Sequence, residues 1–261
     1  MALYIHELKQ GRRTFLVWTI AIICFMAMCT FLYPEMKGQM EEVSKIFSVM
    51  GAFTTAFGMD KLNFGSFIGF YTVECGNILS LGGAFFSAVI AVNVLSKEEK
   101  EHTAEFLMAH PLSRTKIQCS KLAALFTQLT AMHLLVFTAT AVSIRLIGEP
   151  VAWKELLLLH LAYYLCQLEV GMICYAISAF SRGNNFGIGI GITMVFYFMS
   201  LLANISDKMK AFHVISPFGY AEGPDIMTTG RLEVKLILLG MAIGLIIAVI
   251  GSIHYQHKDI Y

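Results

Sequence analysis

Long apolar runs separated by short polar segments dominate the chain. A helix of about 20 apolar residues crosses a hydrocarbon core about 30 Å thick, and six runs reach that length. They cover residues 15–33, 67–95, 122–144, 156–180, 186–203 and 234–255. The pattern predicts an all-α membrane protein in which residues 1–261 form a single transmembrane domain with six spanning helices.

The first 14 residues alternate apolar and polar positions before the first run begins. Leu3, Ile5 and Leu8 are interleaved with histidine, lysine and arginine, which predicts an amphipathic elbow helix lying along the inner membrane surface. The same residues fit equally well as a charged anchor that flanks the first span. No small-residue cleavage site follows, so we expect the first span to remain in the mature protein.

Positive charge near the first span sets the expected orientation. Lys9, Arg12 and Arg13 precede this span, and the positive-inside rule therefore places the N-terminus in the cytoplasm. Six spans bring the C-terminus back to the same side. We expect a multi-pass protein of the cell (plasma) membrane with both termini cytoplasmic.

Residues 96–121, between the second and third apolar runs, are the most charged part of the chain. Ser96 and Glu99 have the spacing of a capping box, which predicts a helix start. Pro111 disfavours helix at the residue before it and should end that helix. Ser113 is then placed to cap a second helix. We predict a two-part cytoplasmic elbow, here called the coupling region.

Two longer polar segments fall on the other side of the membrane. Residues 41–57 place apolar side chains on one helical stripe, which predicts an interfacial helix broken at Gly58. Residues 205–233 contain Pro217, Gly219, Gly223 and Pro224, which indicate bends rather than a continuous helix.

Composition agrees with a membrane location and excludes several classes of function. The chain is 57% hydrophobic and 14% charged, against roughly 25% charged in soluble domains. A net charge of +1 offers no dense basic face, so we expect no nucleic-acid partner. The six cysteines form no Cys-x-x-Cys pair and fall mostly in apolar runs, where a thiol is a small hydrophobe. No metal site is predicted.

Motifs for covalent chemistry are absent, so we do not expect an enzyme. No phosphate-binding Gly-x-x-x-x-Gly-Lys-Ser/Thr loop occurs, so any ATP must be bound by another subunit. Glu98 and Glu99 superficially match an intramembrane protease motif, but Thr103 occupies its arginine position. His133 and His160 each lie singly within spans and are expected to be packed or hydrogen-bonded rather than catalytic.

Glycines recur at every fourth position from residue 183 into the fifth span, and again in the last span, and this spacing favours close helix packing over a ligand loop. They are Gly183, Gly187, Gly191, Gly240 and Gly244.

Two carboxylates lie in apolar surroundings. A charge at mid-membrane costs roughly 2.5–3.5 kcal/mol even on insertion scales, so Glu169 and Glu74 each need a partner or a wet cavity. They either line a substrate path or are paired or protonated packing residues, and Glu74 also fits the outer end of its span.

The coupling region resembles the hallmark segment of type-2 ABC transporter permeases, roughly Glu-Glu-x-x-Gly-Thr-x-Glu-x-Leu-x-x-x-Pro-x-Ser-Arg followed by Lys-Leu. The matching residues are Glu98, Glu99, Thr103, Glu105, Leu107, Pro111, Ser113, Arg114 and Lys121. His102 replaces the usual glycine. HELKQGRR, LYPEM, FGMDKLNFGSFIGFY, SPFGY and HKDI extend the resemblance over nearly the whole chain.

The resemblance implies a bacterial exporter subunit with six helices, an N-terminal elbow and a cytoplasmic coupling helix. Two permease subunits, identical or homologous, would pair within the lipid, and two copies of a cytoplasmic nucleotide-binding subunit would bind ATP and Mg²⁺. This chain would itself hold no cofactor. The residues expected to contact the ATPase are Glu98, Glu99, Glu101, Thr103, Glu105, Phe106, Leu107, Pro111, Ser113 and Arg114.

The expected function is export of a hydrophobic or amphipathic substrate: a drug, an antimicrobial peptide or a lipid-like molecule. Candidate path residues are Phe67, Phe70, Tyr71, Phe196 and Tyr197, together with Glu169 and Glu74. Two alternatives stay open. One is a sensor or immunity subunit that uses the ATPase without net transport; the other is an ion exporter with Glu169 as the titrating group.

Overall fold

The computed structural model describes residues 2–40, 42–43, 46, 50–63, 65–105 and 112–258. Six described helices are long and apolar enough to cross a membrane. They are α1 (Ala2–Met36), α3 (Phe67–Ala91), α5 (Arg114–Ile147), α6 (Trp153–Phe180), α7 (Phe186–Ile205) and α10 (Val234–His257). Shorter helices are α2 (Ala52–Ala56), α4 (Lys97–Lys100), α8 (Ala211–Ile215) and α9 (Gly223–Thr229), with 3₁₀ turns at Lys37–Gln39 and Asp207–Met209. No strand occurs in these ranges, and the all-α prediction is confirmed.

The central helices of the bundle are α3 and α6, which pack on each other. α1 packs against α3 and α5, α7 lies on α3, and α10 lies on α6. Small residues permit the central contact: a Cβ at Gly83 would fall 2.1 Å from Gln167 Nε2, and one at Gly171 would fall 2.6 Å from Ser87 Oγ. Ser87 in turn donates to the Gln167 carbonyl at 2.6 Å. Close backbone approach and buried polar bonds therefore join the two helices.

The predicted N-terminal elbow is helical, but it is not a separate element. α1 runs without a break from Ala2 through the first span to Met36, and its one proline, Pro34, falls in the last turn. The first 14 residues are held in line with the span by α5, where Tyr4 bonds Thr127 at 3.0 Å. These contacts, formed by a helix distant in sequence, replace the bend expected at residue 14.

The coupling region differs from its prediction at the first helix and agrees at the second. The Ser96–Glu99 capping box is wrong: the Ser96 backbone is itself helical, and its hydroxyl lies 3.3 Å from Asn185 Nδ2 instead. α4 is consequently a single turn. Ser113 does cap α5, accepting from Lys116 N at 3.3 Å. The predicted stop at Pro111 lies outside the described residues.

The segments on the other side are broken more often than predicted. In the expected helix over residues 41–57 the backbone turns at Gly51, with φ +47°, as well as at Gly58; residues 41, 44–45 and 47–49 lie outside the described ranges. The bends expected in residues 205–233 are confirmed, since a 3₁₀ turn, α8 and α9 occupy the segment.

Candidate functional site

Four segments that are distant in sequence meet at one end of the bundle, here called the coupling end. They are the start of α1, the chain from the end of α3 to the start of α5, the turn between α6 and α7, and the end of α10. Ion pairs and hydrogen bonds to backbone carbonyls join them. Both described termini lie at this end, as six spans require.

Lys121 is the centre of the ion-pair network. Its side chain is fully buried, and Nζ contacts three acceptors: Glu7 Oε1 at 3.0 Å, the Val94 carbonyl at 2.8 Å and a carboxylate oxygen of Glu98. An ammonium has three protons, so every donor is used. One buried cation therefore ties α1, the end of α3 and α4 to α5.

Lys97 adds a second cation to the same carboxylate. Its Nζ lies 2.5 Å from Glu7 Oε2 and 2.6 Å from Gln10 Oε1. Burial, followed by the positive charge of Lys121, lowers the pKa of Lys97, and the charge of Glu7 opposes that shift.

The end of α10 is fastened to the coupling region by Arg114 and Lys258. Arg114 Nη1 donates to the carbonyls of Tyr255, Gln256 and Lys258 at 3.1, 3.0 and 2.6 Å. These are carbonyls that a helix C-terminus leaves without intrahelical partners. Lys258 forms a buried ion pair with Glu99 at 2.8 Å and donates to the Ser181 carbonyl at 2.7 Å.

The residues expected to contact an ATPase thus fall into two groups. The side chains of Glu98, Glu99 and Arg114 are used within the chain. Thr103, Glu101, Glu105 and Ser113 are exposed, and neither glutamate has a hydrogen bond or ion pair with any described residue. Phe106, Leu107 and Pro111 lie outside the described ranges. Contact with a partner remains a prediction for all of these residues.

His102 has a left-handed backbone, with φ +53°. The turn that contains His102 is closed by a hydrogen bond from Thr103 N to the Glu98 carbonyl, at 2.9 Å. Residues other than glycine, asparagine and aspartate rarely adopt this conformation. The glycine expected here by resemblance would fit this backbone without strain.

Glu169 lies at the contact between α6 and α10. It is buried, and Tyr220 donates to its Oε2 at 2.8 Å. A Cβ at Gly240 would fall 2.4 Å from the same oxygen, and one at Gly244 would fall 2.9 Å from the methyl of Met172. These two glycines therefore make room for Glu169 and Met172, and the packing prediction fits both.

The other candidate path residues pack inside the chain or at its surface. Phe67, Phe70 and Tyr71 are buried, and Tyr33 contacts the first two with ring centroids 5.2 and 5.3 Å apart. Tyr197 bonds Asn77 at 3.2 Å, and Phe196 accepts a bond from Ser216 through its carbonyl. Glu74 is half-buried and has no hydrogen bond or ion pair with a described residue. The four cavities with described linings are bordered by other residues.

Comparison with known proteins identifies the family. The family model described as ABC-2 family transporter protein matches residues 1–243. The chain belongs to the ABC-2 transporter family. Its six apolar helices accord with a multi-pass membrane permease. A search of curated proteins finds no match.

Two glycines of α7 in this ABC-2 permease face away from their own chain. Gly187 and Gly191 are exposed, and a Cβ added at either meets no atom within 4 Å. Gly183 is also exposed, but it lies in the turn before α7, where its carbonyl is 3.5 Å from Ser96 Oγ, so it does not share their helical stripe. Packing of these glycines against another helix remains a prediction.

Sequence reasoning treated His133 and His160 singly, but the fold brings them together. Their ring centroids are 5.5 Å apart, and His160 Nε2 bonds Tyr71 at 2.9 Å. His133 lies 3.4 Å from Gln167 Oε1. The two histidines are on different helices, so no spacing in the sequence signals the pair.

Glu222, just before α9, was also missed by the sequence reasoning. Ser200 donates to its carboxylate at 2.5 Å, and burial raises its pKa to about 7. The turn signals of Gly223 and Pro224 gave no reason to expect a buried acid here.

Proposed function

We propose that this ABC-2 permease is the membrane-spanning subunit of an ATP-driven exporter whose ATPase binds at the coupling end. ATP and Mg²⁺ are held by the ATPase, in two copies, since this chain carries no phosphate-binding loop. The cargo is a hydrophobic or amphipathic molecule moved out of the cell across the plasma membrane, and both termini face the cytoplasm.

The observation that carries the proposal is the attachment of the coupling region to three spans. Lys121 connects α4 to α1 and α5, and Lys258 connects α4 to α10 through Glu99. Arg114, at the start of α5, also bonds the end of α10. A displacement of α4 therefore acts on α1, α5 and α10 at once, because the joining groups are buried and bonded. Such an element is suited to transmit a rigid-body movement into a helix bundle.

Partner contact is assigned to the exposed carboxylates Glu101 and Glu105. Glu98, Glu99 and Arg114 serve instead to hold the coupling region on the bundle, because their side chains are already paired. This division separates two kinds of variant: those that weaken partner binding and those that weaken the chain itself.

The test is a pull-down of the tagged chain with its genomic neighbours, followed by an ATPase assay on the eluate. Charge reversal of Glu101 and Glu105 together should release a nucleotide-binding subunit while the chain still elutes as a folded particle. Glu35→Lys, an exposed carboxylate at the opposite end of α1, is the matched control and should leave the complex intact. If the double variant still retained the ATPase, the proposed contact through Glu101 and Glu105 would be wrong.

A second permease subunit, identical or homologous, is proposed to pack on α7 at Gly187 and Gly191, next to the turn that holds Gly183. Small residues at this spacing let helices approach closely in lipid, and this chain leaves them uncovered. Gly187→Leu should convert the dimer to a monomer in cross-linking and sizing measurements. A dimer that survives this change would place the interface elsewhere.

A sensor or immunity subunit without net transport is the alternative for the same assembly. Sealed vesicles decide between the two, since stimulated ATPase activity without flux favours the sensor. For an ion exporter, Glu169 would have to face a path, and its bond to Tyr220 against Gly240 favours a packing role instead.

A further inference from the structure

A crevice of about 210 Å³ lies at the coupling end among α1, α3 and α5. Its mouth is polar and includes Lys97 and Gln10, whereas its walls further along α3 and α5 are apolar, with Val89, Ile90 and Leu125. Polar and apolar lining at different depths suits one amphiphilic ligand rather than a fully polar solute.

Gln128, deeper in the crevice, has no partner for its amide. The side chain lines the crevice, only 8% of the residue is exposed, and no described residue forms a hydrogen bond with it. The amide lies directly against Gly11, where a Cβ would fall 2.4 Å from Nε2. The amide borders the crevice and has no hydrogen bond with a described residue, so it is free to bond a polar group of a ligand that enters the crevice.

Lys97 at the mouth retains a proton for a ligand, whereas Lys121 does not. Two of the three N–H groups of Lys97 point to Glu7 and Gln10. All three N–H groups of Lys121 are already hydrogen-bonded. The crevice lining holds two lysines and one carboxylate, Glu7. An anion beside Lys97 would also offset the burial and the neighbouring positive charge that lower its pKa.

Lys97 and Gln128 are close enough for one phospholipid to reach both. Lys97 Nζ bonds Gln10 Oε1 at 2.6 Å, and the Gln128 amide lies against Gly11, the next residue of α1. A phosphate beside Lys97 therefore leaves a glycerol ester carbonyl of the same lipid within reach of the Gln128 amide, with the acyl chain against the apolar walls.

We propose that this crevice is a binding site for one anionic phospholipid of the leaflet at the coupling end. Its phosphate accepts a hydrogen bond from Lys97, and one ester carbonyl accepts from Gln128 Nε2. The site does not depend on coupling to an ATPase, and a failure of that coupling would leave it standing.

Native mass spectrometry of the full chain in neutral detergent, titrated with phosphatidylglycerol, tests the site. Gln128→Leu should weaken binding about tenfold, as expected for one lost hydrogen bond in a buried setting. Lys97→Met should weaken it and also remove the preference for phosphatidylglycerol over zwitterionic phosphatidylcholine. Lys100→Met, an exposed lysine on the same turn, is the control and should bind like the unchanged chain.

An ether-linked phosphatidylglycerol separates the two contacts, because it lacks the ester carbonyl. It should bind the unchanged chain about tenfold more weakly than the ester lipid, and bind Gln128→Leu no more weakly than the ester lipid does. Equal binding of both lipids to the unchanged chain would overturn the proposal.

Inorganic phosphate distinguishes a lipid site from a free-anion site. We expect phosphate at millimolar concentration not to compete with the lipid. Competition that depends on Lys97 but not on Gln128 would show a free-anion site and overturn the proposal. If Lys97→Met does not fold, the Gln128 and ether-lipid measurements decide the question alone.

Discussion

Replacing Lys121 with methionine should be the most damaging single substitution at the coupling end. Methionine keeps most of the volume but removes a cation whose side chain is 0% exposed. Glu7, with a side chain 6% exposed, and Glu98, with one 14% exposed, would then lose their shared counter-charge. Removing one partner from a buried ion pair typically costs about 3–5 kcal/mol, because the remaining charge stays buried.

Two neighbouring lysine substitutions serve as comparisons for the destabilisation expected of Lys121→Met. Lys97→Met removes a cation whose side chain is 18% exposed and leaves Glu7 paired with Lys121, so we expect a loss of about 1–3 kcal/mol, that of a charged hydrogen bond. Lys100→Met changes an exposed side chain and should stay within about 0.5 kcal/mol of the unchanged chain.

Neutralising the network should restore much of the loss. With Lys97→Met, Glu7→Gln and Glu98→Gln added to Lys121→Met, none of the four groups keeps a charge, and replacing a whole buried ion network by neutral groups is often close to neutral in stability. The assay is reversible unfolding in mixed micelles, followed by circular dichroism. If the free energies of unfolding of Lys121→Met and Lys100→Met differed by less than about 1 kcal/mol, the reasoning would be refuted, because a buried unpaired carboxylate destabilises a protein by more than that.

Three further predictions concern backbone and carboxylate positions, all measured by the same unfolding assay. Gly240→Ala should lower the free energy of unfolding by about 1–3 kcal/mol, because the new Cβ would overlap Glu169. Gly187→Ala in the isolated chain should be neutral or stabilising by up to about 1 kcal/mol. Equal effects of the two substitutions would contradict the packing described. His102→Gly should stabilise by about 1 kcal/mol by relieving a left-handed backbone, and a loss of stability would argue for a role of the imidazole. Burial raises the pKa of Glu222 from 4.5 to about 7, so between these values the folded state keeps a proton that the unfolded state has lost. Its contribution to stability therefore falls as pH rises through that window, and Glu222→Gln should reduce the slope between about pH 5 and pH 8.

The places where the sequence reasoning was corrected share one cause. Ser96 and Glu99 have the spacing of a capping box, yet Ser96 bonds Asn185 and Glu99 pairs with Lys258. Local spacing predicts a local bond only when no distant group offers a better one. Ser113, which has no such competitor among the described residues, caps α5 as predicted.

For Glu169 the sequence predicts that a partner is needed but not which residue it is. The sequence established that a carboxylate in an apolar run needs a partner, and a partner exists. That the partner is Tyr220, and that Gly240 leaves the space for it, depends on α6, the segment before α10 and α10 itself coming together. The glycine spacing and the buried acid were read as two separate features, and they belong to one contact.

The sequence by itself determined the number of spans, the helical class and the family, because hydrophobic length and the hallmark residues are read along the chain and do not depend on folding. Only the tertiary structure decided which charges are used internally and which remain free. Lys121 and Glu7 are 114 positions apart, and their pairing follows from α1 and α5 packing side by side. An ion pair between helices depends on which faces meet, and apolar helices of similar length do not encode that locally.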